Sequence, residues 1–187
     1  MFAFLTDLPP LSILLLAVVC LIAILLIGRP MRVQIQKLKK FGFGIIDFEL
    51  IHFRRYPVES ILEAWDKALE TDEDGRETRG IDVARVNLKL DFGFIPAYAL
   101  LFASLTLLIS LYRAELAQSI GLWLVLAPFV AGIFDIVENM YLLNILSAFE
   151  KSQKISPKIT LVASLSAIIK FGVLIIVVVY WLIGWLF

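Results

Sequence analysis

The chain has 187 residues, of which 60% are apolar; soluble domains hold roughly 45–50%, so a surface that meets water on all sides is excluded. Seventeen basic and seventeen acidic residues cancel to a formal net charge of zero, which gives nucleic acid no electrostatic handle. A single cysteine, Cys20, and a single histidine, His52, rule out an internal disulfide, a multi-cysteine metal site and a His-based zinc site built from this chain alone.

In chain order, Leu11 to Gly28 is uncharged and long enough to cross a ~30 Å hydrocarbon layer at ~1.5 Å per residue. This is the first predicted span. Pro9 and Pro10 stand where a helix start tolerates proline, and Asp7 and Pro30 bracket the segment. Cys20 within it reads as a small buried apolar residue. A cleaved signal peptide carries basic residues before its apolar run. Here Asp7 precedes the run and Arg29, Arg32, Lys37, Lys39 and Lys40 follow it. Residues 1–28 are therefore expected to be an uncleaved anchor with its N-terminus outside.

Residues 29–89 are too polar for lipid and are expected as a cytoplasmic juxtamembrane segment. Met31 to Lys40 is basic and amphipathic, suited to anionic headgroups and to setting topology. Gly42 and Gly44 interrupt it, and Phe48 to Phe53 is apolar without a deciding period. Pro57 to Leu69 predicts a helix: proline at its start, Glu59 and Glu63 where the dipole favours acid, and Val58, Ile61, Leu62, Trp65 and Leu69 on one face. That face needs a cover, either the membrane interface or a neighbouring helix. Seven acids against one lysine between Glu59 and Asp74 favour protein over an acidic membrane. Thr71 to Gly80, with Gly75, predicts a turn. From Ile81 a helix should run into the second span, with Asp82, Arg85 and Lys89 as its wet flank.

Spans two, three and four are expected at about Leu90 to Leu111, Ile120 to Leu146 and Ile159 to Phe187, so that 90–187 forms a three-span bundle. Fifteen of the seventeen basic residues then fall in 29–90 and 147–158, with only Arg113 in the 112–119 loop. Such asymmetry marks the cytoplasmic face and places both termini outside. Trp123, Tyr180, Trp181 and Trp185 suit an aromatic belt. The fold class is all-α: a polytopic four-helix transmembrane bundle with an amphipathic cytoplasmic helix.

An ionisable group inside a span costs at least ~2.5–3.5 kcal/mol on insertion scales, so it must be paired, hydrated or useful. Asp135, Glu138 and Asn139 follow an i, i+3, i+4 spacing that puts them on one helical face. Asp135 lies ~18 Å and Lys170 ~20 Å from the cytoplasmic ends of their spans at the helical rise. Spans joined by a short loop pack antiparallel, so contact between Lys170 and Asp135 or Glu138 is expected. Asp91 and Tyr98 on span two are expected to face the same interior, with Arg85 and Lys89 as alternative partners for Asp91. Pro96 loosens the helix between them. A nearby ammonium opposes a divalent cation at these carboxylates, and neither a metal nor a cofactor is expected.

Trp65, then Ala84 to Phe92 with Pro96-Ala97-Tyr98, and finally Phe134-Asp135-Ile136-Val137-Glu138-Asn139, form a pattern that resembles small, uncharacterised bacterial multi-span membrane proteins. The likeness covers Phe48 to Leu146. It implies that Asp91, Tyr98, Asp135, Glu138 and Asn139 belong to one site, with Lys170 outside the matched region. A phosphate loop, a nucleophile elbow and an HExxH motif are all missing. A non-catalytic accessory or assembly subunit of a membrane complex, with a protein partner or a second copy and with membrane lipids, is therefore the leading expectation. A small proton- or ion-coupled transporter using Asp135, Glu138 and Lys170 is the alternative, and a lipid-modifying enzyme the third.

Overall fold

The computed structural model describes residues 8–54, 56–71, 77–112 and 115–186, without the side chains of 115–117 and 185–186. Asp7, Gly75, Arg113, Phe187 and the Trp185 side chain, all used in the sequence reading, lie outside what is described. Seven α-helices are present among the described residues: α1 (Pro10–Lys40), α2 (Ile45–Glu49), α3 (Val58–Lys67), α4 (Gly80–Leu111), α5 (Glu115–Leu124), α6 (Ala127–Glu150) and α7 (Pro157–Leu186). A 3₁₀ turn covers Ile51–Phe53, and strands β1 (Leu69–Thr71) and β2 (Glu77–Arg79) pair antiparallel.

Among the described residues four stretches are long and apolar enough to cross a membrane: Pro10–Lys40, Gly80–Leu111, Gln118–Glu150 and Pro157–Gly184. The class is all-α, and the protein is a membrane protein by the length and composition of these helices. The third stretch is not one helix. A turn at Val125 and Leu126 separates α5 from α6, and Pro128 sits in the first turn of α6, where the missing N–H breaks no helical bond.

Residue contacts divide the chain into two compact units, one of 1–26, 94–134 and 169–187, the other of 27–93 and 135–168. Residues 27–93 thus pack with 135–168 in the second unit.

In the second unit α1 continues through Pro30 to Lys40, so the expected basic strip is the last turns of that helix. Gly42, at φ +97°, ends it in the left-handed conformation that glycine adopts without strain. Asp47 Oδ2 then accepts the Gly44 N–H at 2.9 Å and opens α2. Pro57 precedes α3, with Glu59 in its first turn and Lys67 in its last, as the dipole favours.

Val58, Ile61, Leu62 and Trp65 are buried against Leu38, Phe48, Ile81, Leu142 and Leu146. The amphipathic face is thus covered by the chain's own core. Leu69 is not part of it: it lies on β1 and is 56% exposed. The expected turn over 71–80 is replaced at its ends by the two short strands, in the register Leu69↔Arg79, Glu70↔Thr78, Thr71↔Glu77. Gly80 starts α4 hard against α3, where an added Cβ would stand 2.7 Å from the Trp65 carbonyl oxygen.

In the first unit, Ile13 of α1 packs with Ala103, Leu107 and Val125, and Ile24 packs with Ile95, Tyr98 and Ala99. Cys20 is buried, as a small apolar residue would be. Polar ties run beside these clusters. The Trp181 indole N–H donates to Thr106 Oγ1 at 2.9 Å, Thr106 donates to the Phe102 carbonyl at 2.7 Å, and Ser110 donates to the Thr106 carbonyl at 2.6 Å. Ser110 Oγ and the Tyr180 hydroxyl lie 3.1 Å apart. Tyr180 and Trp181 therefore turn their polar atoms onto α4. Trp123 is exposed.

Candidate functional site

The polar residues expected inside the spans fall into two groups. Asp91, Asp135, Glu138 and Asn139 belong to the second unit; Tyr98 and Lys170 belong to the first.

In the second unit, α4 supplies Asp91 and α6 supplies the other three. Asp135, Glu138 and Asn139 are all buried, and Glu138 has no exposed surface. The i, i+3, i+4 spacing carries them down one face of α6. Asn139 Nδ2 donates to Asp91 Oδ2 at 2.7 Å, a short bond to a half-buried carboxylate that clasps α4 to α6. Asp91 takes this amide as its partner. Its two expected alternatives are elsewhere: Arg85 pairs with Asp82 at 3.2 Å and with Glu150, and Lys89 is exposed.

Asn87, one turn before Asp91 on α4, was missed by the sequence reading. It is buried, and its side-chain carbonyl oxygen meets no hydrogen-bond donor among the described residues. The signal was available, since i, i+4 spacing to a carboxylate at the edge of a span puts both residues on one face.

In the first unit, Tyr98 is buried between Phe94 and Phe102, with ring centroids 6.0 and 6.4 Å away. Gly132 brings α6 close to it: a Cβ there would lie 3.1 Å from Ile95 Cγ2 and 4.0 Å from the Tyr98 hydroxyl. Lys170 is buried, with Nζ 4.8 Å from the centroid of the Phe171 ring.

At the opposite, polar end of the second unit, Arg79 reaches Asp66, Asp82 and Glu150, each at 3.2 Å. Arg85 shares Asp82 and Glu150 with it. Those carboxylates push the Arg79 guanidinium above its ordinary range, the Asp82 hydrogen bond most, while burial pulls the other way. The network joins β2, α3, α4 and α6 and borders a cavity of about 830 Å³ that Glu59, Phe149, Gln153 and Lys154 also line.

Among the described residues no group of three or more His, Cys, Asp or Glu side chains is placed to hold a metal ion. The site is thus a set of acids and amides buried within spanning helices, in a four-span membrane protein. No protein-family model, curated protein or solved structure matches the chain.

Proposed function

We propose that the protein is a non-catalytic accessory or assembly subunit of a membrane complex. In this reading it sits in a bacterial inner membrane, with both termini outside and 29–89 and 147–158 in the cytoplasm. The observation that carries it is the sealed state of the α6 polar face: Asp135, Glu138 and Asn139 are buried to within a few per cent, and the Asn139 to Asp91 bond there joins two helices. Such groups hold a fold in register, and contacts of this kind between membrane helices average about 0.6 kcal/mol. The basic-residue asymmetry supports the orientation.

The amphipathic α3 no longer supports a partner, because the chain covers it. A partner would instead meet lipid-facing helix surface, most abundant on α1, where Leu11, Leu15, Val19 and Leu26 are exposed. Extracted from its own membrane in mild detergent, the protein should migrate in a complex of fixed stoichiometry. Recovery as a lone monomer, with the other membrane complexes of the cell intact when it is deleted, refutes the proposal.

One observation favours a small proton- or ion-coupled transporter as a second reading. The orphaned Asn87 oxygen stands beside Asp91, which is only half-buried, and a buried acceptor of this kind suits a water or a proton carrier. Reconstituted vesicles then show flux that Asp91→Asn and Glu138→Gln abolish. Flux equal to that of empty vesicles removes this reading.

A further inference from the structure

The second unit carries a smaller cavity whose chemistry none of these readings uses. It has a volume of about 300 Å³ and is lined by Ile51, His52, Arg54, Tyr56, Pro57, Val58 and Thr160. Its walls are the 3₁₀ turn, the approach to α3 and the first turn of α7. Two bonds pin the turn to α7: the His52 backbone N–H donates to Ser164 Oγ at 3.2 Å, and Ser164 Oγ donates to the Glu49 carbonyl at 2.9 Å. The cavity is therefore preformed, and a ligand would bind without ordering a loop.

Two side chains, His52 and Arg54, face it with polar atoms to offer. Thr160 Oγ1 gives its single hydrogen to the Pro157 carbonyl at 2.9 Å, so towards His52 Nδ1, 3.4 Å away, it acts as acceptor. His52 Nδ1 then carries a hydrogen, and Nε2 is the nitrogen left for a ligand. That nitrogen can accept a hydrogen bond from a phosphate hydroxyl.

Arg54 meets Asp47 through Nη2 alone, at 2.9 Å, which leaves the rest of its five-donor fork open. Asp47 is a weak competitor for a second anion. Its Oδ1 takes both Arg54 and the Tyr56 hydroxyl, the latter at 3.1 Å, and its Oδ2 takes the Gly44 N–H. In effect Asp47 aims the guanidinium. Lys158, exposed on the same first turn of α7, adds a cation with no acidic partner among the described residues.

The level of the cavity narrows the ligand. Thr160 stands in the first turn of a helix that is apolar enough to span a membrane, just beyond Lys154 and Lys158. A spanning helix leaves hydrocarbon at such a point, and phospholipid phosphates lie there. Ile46 and Phe53, 54% and 53% exposed, give the neighbouring elements apolar surface for acyl chains.

We infer that the His52, Arg54, Tyr56 and Thr160 cavity binds a phosphate group, the chemistry shared by an anionic phospholipid headgroup and free inorganic phosphate. An Arg fork is a common way to hold that group, here with an imidazole nitrogen beside it. The test uses the full chain purified in detergent with Arg54→Gln, His52→Gln and, as a control with the same loss of charge on an exposed surface, Lys67→Gln.

Phosphatidylglycerol retained through delipidation is counted by native mass spectrometry, and melting is followed with inorganic phosphate against chloride at equal ionic strength. Wild type and Lys67→Gln should hold the lipid, while Arg54→Gln and His52→Gln lose it at least about five-fold. Stabilisation by inorganic phosphate that both variants lack assigns the site to the free ion; retention of the lipid alone assigns it to the headgroup. His52→Gln leaves the Arg54 to Asp47 pair untouched, so it decides the matter even where Arg54→Gln fails to fold. Equal binding of both probes by His52→Gln and wild type overturns the inference, as does an equal loss in Lys67→Gln.

Discussion

Trp65→Ala is the perturbation that bears hardest on how this protein is built. The side chain is fully buried, its indole N–H donates to the Phe43 carbonyl at 3.2 Å, and its ring meets Phe48 edge-on at 5.2 Å. Truncating a buried tryptophan costs about 3–5 kcal/mol, and the orphaned Phe43 carbonyl adds about 1 kcal/mol. Against a total stability of about 5–15 kcal/mol, that is enough to loosen the second unit. For a chain of this size each kcal/mol moves the midpoint by roughly 2–4 °C, so the melt should fall by about 8–24 °C. Trp65→Phe keeps the ring against Phe48 and loses chiefly the N–H, so it should fall by a few degrees only.

Circular dichroism in mild detergent reads both shifts, and limited trypsin digestion shows whether the basic residues of 29–89 become accessible together. A Trp65→Ala protein that melts within about 2 °C of wild type would refute the reasoning. The α3 face would then not be held in the core, and a partner or the membrane would again be candidates to cover it.

Asn139→Leu removes the clasp on Asp91 and should weaken the α4–α6 contact by about 0.6–1.7 kcal/mol, read as a lower midpoint in mixed-detergent unfolding; Asn139→Asp should cost more, by placing two carboxylates face to face. Gly121→Ala drives a methyl into the Ser110 and Tyr180 hydroxyls, with Tyr180 Cζ only 2.7 Å away, and should cost about 1–3 kcal/mol, whereas Gly172→Ala, with nothing within 4 Å, should be neutral or stabilising in the same melt. Burial first, then the hydrogen bond and charge of Asp47, raise the Tyr56 hydroxyl above its usual value, with Arg54 opposing. The stability this confers is present in full below about pH 10 and is lost as pH climbs through the folded value. Tyr56→Phe should flatten that alkaline decline in a melt series from pH 8 to 11. Arg79→Met opens a half-exposed network, so its cost should stay near or below ~1 kcal/mol and shrink in 1 M salt.

The four spans were legible because lipid demands about twenty apolar residues per crossing and almost nothing else produces them. The break at Val125 and Leu126 was missed by weighing hydropathy alone, although Pro128 was the cue, since proline belongs in a first turn. The hairpin escaped because Glu70, Thr71, Glu77 and Thr78 show no apolar alternation; β1 and β2 are held by their backbone ladder and by Arg79, not by a buried face. For α3 the period was readable, and so was the preference for protein over membrane. Its cover was not, because Leu142 and Leu146 lie some eighty residues away in sequence. The α6 polar face followed from spacing, whereas the Asn139 to Asp91 bond required two helices to be placed. Tyr180 and Trp181 were readable as aromatics near a span end, whereas their bonds to Ser110 and Thr106 again required two helices to be placed.

The ion pairs of the second unit separate two roles that one set of lysines and arginines is usually assumed to share. During insertion a nascent chain presents Lys37, Arg54, Arg79 and Arg85 bare, and all four weigh on which way it threads. Once folded, each faces a carboxylate within the same unit. What the finished protein leaves exposed is a different roster, which includes Arg29, Arg32, Lys39 and Lys40 on α1, Lys89 on α4, and Lys151, Lys154 and Lys158 around the start of α7. Neutralising that roster should loosen the grip on acidic lipid, whereas neutralising Arg79 and Arg85 should leave that grip unchanged.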